Sequence, residues 1–188
     1  MSQCKETPTQ AVMAAAAMMR NLDPGPLAEL RRMDASTGAP AFWRLAAKHP
    51  NTIGGRKTQE RWIEIIRIVA ILTPKGDPAT RPPLHDPNRR LGAVLCDGGS
   101  PSWPGGGQPR PAFSERRLAQ LMAARGPQRA ILLERAARML AGSRESGSGV
   151  DVVDIAWILL KPDNGQRLAE PYYRRLDRAE RAIEEGTA

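Results

Sequence analysis

The apolar positions of this chain recur with a helical period along most of its length, and the clearest run lies between Ser114 and Leu140. At 100° per residue, Leu118, Leu121 and Met122 share one face of a first segment, while Leu132, Leu133, Ala136, Met139 and Leu140 share one face of a second. Gly126-Pro127 separates them, because glycine takes the left-handed turn that closes a helix and proline suits the first turn of the next. The pattern predicts a helical hairpin with Ser114 as N-cap. Arg116, Arg117, Arg135 and Arg138 fall off its core side. Arg125 and Arg129 project toward the apolar faces where the two arms meet, so they either extend past the core edge or pair with a buried group.

The same periodicity predicts further helices. One runs from Thr9 or Gln10 to Leu22 and ends at Asp23-Pro24-Gly25; the next runs from Pro26 to Met33, with Arg31 and Arg32 placed to complement its dipole. A third spans Pro40 to Lys48, with Trp43 expected as an anchor between helices and His49 as its cap. Thr58 to Leu72 carries the broadest apolar face, from Trp62, Ile65, Ile66, Ile68, Val69 and Leu72, and should sit at the centre of the core. Asp151 to Leu160 is apolar beyond one face, which predicts a buried helix, and a last helix runs from near Arg167 to Ile183 despite Pro171. Residues 1 to 9 read as disordered.

Between 73 and 113 lie nine of the seventeen prolines and seven of the seventeen glycines. One short helix, from Arg89 to Cys96, interrupts that stretch, and Asp97 to Pro111 is the best candidate for disorder. The predicted fold class is all-α: an N-terminal helical bundle at 10–96, a flexible Pro/Gly-rich connection at 97–113 and a second small bundle at 114–183.

Charge adds a direction to this picture. The chain of 188 residues carries a formal net charge of +8, and residues 110–140, with seven arginines against two glutamates, hold +5 of it. That excess favours a polyanionic partner, although basic residues on helices are also ordinary solvated faces. The arginines at 167, 174, 178 and 181 form another stripe, but Asp177, Glu180, Glu184 and Glu185 lie beside it and predict an intrahelical ion-pair lattice. Two cysteines, Cys4 and Cys96, suit a reducing cytoplasmic compartment, and the apolar run Ala14 to Met19 is too short to span a membrane.

Candidate chemistry is sparse. The glycine pairs and triplets lack the following helix and lysine of a phosphate cradle, and two histidines about 36 residues apart make no metal motif. Glu60 and Glu64 lie four apart on a polar face opposite Trp62, where solvation explains them. The reading is of no enzyme, no catalytic residues, no metal and no cofactor.

The serial order of LAELRRM at 27–33, PAFWRLAA at 40–47, RLGAVLC at 90–96, SERRLAQLMAARG at 114–126, VDVVDIAWILL at 150–160 and LAEPYYRRL at 168–176 resembles the CasB family over about residues 12 to 178. That family is the small subunit of the type I-E CRISPR surveillance complex, Cascade. The resemblance implies an all-helical, non-catalytic protein present as two copies, beside the other subunits, guide RNA, and the target and displaced DNA strands. By motif position it makes Arg31, Arg32, Arg116, Arg117 and Arg135 backbone-phosphate contacts; helical spacing adds Arg138. Glu134, Pro171 and the long 97–111 segment depart from the family's pattern. The alternative is a helical scaffold between protein subunits without nucleic-acid contact, and a generic RNA-binding protein stands third.

Overall fold

Thr7 opens the first helix with a reciprocal cap: its hydroxyl accepts from the Gln10 amide at 3.3 Å, and Gln10 Oε1 accepts from the Thr7 amide at 2.9 Å. Order therefore begins inside the stretch expected to lack it, since α1 covers Pro8–Arg20. The computed structural model describes residues 6–105, 108–161 and 163–187. Among these the chain is all-helical, with no strand. The remaining helices are α2 (Pro24–Arg32), α3 (Pro40–Lys48), α4 (Gln59–Leu72), α5 (Leu91–Asp97), α6 (Glu115–Ala123), α7 (Gly126–Ser143), α8 (Val152–Leu160) and α9 (Gln166–Thr187).

Every predicted helix is present, with boundaries shifted where caps decide them. Gly126 has φ +53° at the start of α7, as the break between the hairpin arms requires. Asp151 caps α8 by accepting from the Val153 amide at 3.0 Å. Ser114 holds the N-cap position of α6 but makes no side-chain cap bond. α9 runs through Pro171 without ending there.

α4 is buried almost all round, from Trp62 to Leu72, and packs against α1, α2, α7 and α8. α1 also packs on α8, and α5 lies along α9. Helices from both sides of the 97–113 connection thus share one hydrophobic core. Trp43 differs from expectation: it meets Phe42 edge-on and donates to the Thr37 carbonyl at 3.2 Å, yet remains 42% exposed.

Two buried carboxylates fasten the two ends of α5. Asp154 accepts from Arg90 Nε and Nη2, both at 2.8 Å, from the Leu91 amide at 3.1 Å and from Arg167 Nη1 at 3.0 Å. Asp97 accepts two bonds from Arg89 at 3.1 Å, one from Arg175 at 3.0 Å and one from the Gly99 amide at 2.9 Å. Consecutive arginines therefore reach opposite ends of one short helix.

The segment expected to be disordered is anchored on both sides of Gly106 and Gly107, which lie outside the described residues. Arg175 sits 5.3 Å from the Trp103 ring centroid and donates to the Trp103 carbonyl at 2.7 Å. On the far side, the Ala112 and Phe113 amides donate to the Cys96 and Leu95 carbonyls, and Tyr172 Oη donates to the Phe113 carbonyl at 2.6 Å.

Candidate nucleic-acid interface

Much of the arginine content is spent inside the molecule, on carbonyls that helices leave unpaired at their C-terminal ends. Arg81 is 2% exposed and its guanidinium donates to the carbonyls of Met19, Arg20 and Leu22 past the end of α1, and of Gly76. Arg125 donates to Met122, Ala123 and Ala124, and the buried Arg129 to Met122, Ala124 and Ile158. The pair that pointed into the hairpin core therefore caps α6 and ties it to α8. Burial, then the nearby Arg125, lowers the pKa of Arg129. Arg61 and Arg144 do similar work on Leu159 and Leu72.

This accounting separates the six candidate contacts. Arg31 is half-buried and donates to the Ala70 carbonyl at 2.9 Å and the Thr73 carbonyl at 2.7 Å, closing α4; burial, then Arg81, lowers its pKa. Its neighbour Arg32 is exposed and makes no hydrogen bond or ion pair among the described residues. Arg116, Arg117 and Arg135 are likewise exposed and unpaired among those residues. Arg138 is exposed but engaged, with Nη2 2.7 Å from Glu134 Oε1.

Glu134 also holds Arg67 of α4 at 2.5 Å, so the acid that departs from the family pattern links α4 to α7 and damps Arg138. Along α9, one ion pair within the helix forms among the described residues, Arg174–Glu170, where a lattice was expected. Arg178 and Arg181 point elsewhere.

α6 and α7 bring Arg117 and Arg135 together on a groove of about 350 Å³ whose other lining residues are Phe113, Gln120, Leu132 and Met139. Neither Arg31 nor Arg32 reaches it. A larger cleft of about 510 Å³ beside α9 also carries arginines, among them Arg90, Arg167 and Arg175, but those three are already bound to Asp154 or Asp97. The sequence reading missed both acids, because isolated aspartates in short helices carry no spacing signal. The Arg89-Arg90 pair was the available hint.

No group of three or more His, Cys, Asp or Glu among the described residues is placed to hold a metal, and no described helix is long and apolar enough to cross a membrane. Burial pushes the Cys96 thiol up to about 12, which leaves it unreactive. What the surface offers is a helical body with unpaired guanidinium groups gathered on one hairpin, the class of protein that meets an anionic partner.

The chain matches the CRISPR-associated protein Cse2 family over residues 26–178 and belongs to that family. Among solved structures, a chain of Escherichia coli Cascade bound to a PAM-containing double-stranded DNA target has the same fold, with a TM-score of 0.60. The two are 20% identical, and the match covers 88% of this chain and 96% of that one. Comparison with curated protein sequences gives no match.

Proposed function

We propose that this chain is a non-catalytic small subunit of an RNA-guided CRISPR surveillance complex of the Cascade type, working in the cytoplasm beside the other subunits and a second copy of itself. It steadies the guide RNA with its target DNA, and the displaced DNA strand, through contacts to their backbones. Family membership supports the assignment to such a complex, as does the fold shared with a chain of the DNA-bound Escherichia coli assembly. Backbone contacts position a strand without reading it, and in this class of complex guide pairing carries the sequence.

The observation that carries the reading is what remains after internal pairing. Arg116, Arg117 and Arg135 stay exposed and unpaired among the described residues, on two adjacent arms of one hairpin. Arg32 supplies a separate contact on α2, and Arg138 a weaker one because Glu134 shares its charge. Arg31 contributes chiefly by closing α4.

Assembly separates this reading from a pure scaffold. The complex is reconstituted with Arg116, Arg117, Arg135 and Arg138 replaced by Gln, and its composition is read by native mass spectrometry before DNA is added. Complete assembly with weakened target binding supports the backbone grip. Failure to assemble, with DNA binding by the separate chain unchanged, moves the function to protein docking.

A further inference from the structure

We infer that the groove between α6 and α7 is a slot for one unstacked nucleobase of a single strand, with Arg117 and Arg135 holding the adjoining phosphates. The inference rests on the hairpin being a nucleic-acid face, and it adds what a phosphate track alone does not need. A track needs charge only. Here the charge sits on the rim, while the floor is Phe113, Leu132 and Met139, with the Gln120 amide at the side.

Each part matches a surface of a base. The faces of a base are apolar and suit Leu132, Met139 and the edge of Phe113, whereas a phosphate laid over those side chains would lose hydration without a partner. The polar edge of a base suits the Gln120 amide. Guanidinium planes stack on bases as well as binding phosphates, so Arg117 and Arg135 serve both purposes. Phe113 is held in place from behind, its carbonyl by Tyr172 Oη at 2.6 Å and its amide by the Leu95 carbonyl at 3.1 Å, so that part of the floor exists before anything binds.

Charge also decides against a peptide as occupant. No acidic residue lines the groove among the described residues, and an apolar peptide would leave two guanidinium groups uncompensated. A single strand supplies an apolar face and two anions at once. A duplex cannot, because its bases are stacked inward.

The full chain is tested with two fluorescent single strands of equal length, one of thymidylate and one with abasic sites throughout, over a salt series. The thymine strand should bind about tenfold tighter, with the same salt slope, since one stacked base is worth roughly that factor. Replacing Leu132→Gln and Met139→Gln together should erase the difference and leave the slope unchanged; both side chains are partly exposed, and circular dichroism checks that the variant folds. Equal binding of the two strands by the unchanged protein overturns the slot and leaves the backbone grip standing. Binding of neither strand removes both. A thymine preference that survives in the folded double variant places the base elsewhere and overturns the slot.

Discussion

Gly92 of α5 faces the Leu168 carbonyl of α9 so closely that a Cβ added to it would lie 2.1 Å from that oxygen. The two helices meet backbone to backbone, and the listed neighbours at this point are rigid main-chain atoms, not a side chain that can swing away. Gly92→Ala should therefore cost about 3 kcal/mol or more, or prevent folding, which exceeds ordinary overpacking because the clash is with backbone. Thermal unfolding measures it; an unchanged midpoint would mean that α5 and α9 do not pack this way.

The two buried carboxylates should differ in their cost. Asp154→Ala strands Arg90 and Arg167, but these side chains keep 39% and 37% of their exposure and can turn to water, which limits the loss to about 2 kcal/mol. Asp97→Ala strands Arg89 and Arg175, at 19% and 17%, and should cost about 3 kcal/mol or more. Urea unfolding of both variants tests the order.

Neighbouring arginines on α2 should separate cleanly. Arg31→Ala removes two donors from the α4 carbonyls and should lower stability by about 1–3 kcal/mol, while Arg32→Ala leaves stability unchanged. Only the second should weaken nucleic-acid binding without touching the unfolding midpoint. If Arg32→Ala destabilises the fold as much as Arg31→Ala, the distinction between them is wrong.

Alkaline pH should destabilise the protein through buried groups. Burial pushes the Cys96 thiol up to about 12 from an ordinary 9.0 and raises the Tyr172 phenol above its ordinary 10.0. Between the ordinary and the raised value the folded chain keeps a proton that the unfolded chain has released, so stability falls as pH rises from about 9. Cys96→Ala starts from a lower stability but should lose less of it between pH 8 and pH 11. An equally steep loss in the variant would remove Cys96 as a cause.

The helices were legible because each buries a face whose period is written in the sequence: α4 and the α6–α7 hairpin were found from Trp62, Ile66, Leu118 and Leu133 alone. The family was legible in motif order. What periodicity could not show is where long polar side chains end. Arg81 lies in a loop-like stretch and is nearly inaccessible, Arg31 and Arg32 are neighbours with opposite exposures, and Asp154 read as a first-turn acid although it joins three helices. These outcomes depend on which helix end comes within reach in the folded chain, a relation between residues up to 64 apart for Arg90 and Asp154. The same limit applies to the groove: Arg117 and Arg135 were each named, but their convergence over Leu132 and Met139 is tertiary.

The central claim is that the unpaired arginines of the hairpin hold nucleic-acid backbone, and the salt dependence of target-DNA binding by the assembled complex tests it most directly. Each single-strand phosphate contact contributes about 0.7 to the slope of log K against log salt, so neutralising Arg116, Arg117, Arg135 and Arg138 in both copies should reduce the slope by several units at most, with affinity falling alike across target sequences. A complex of unchanged composition whose affinity and slope both stay the same after those four substitutions would contradict the account.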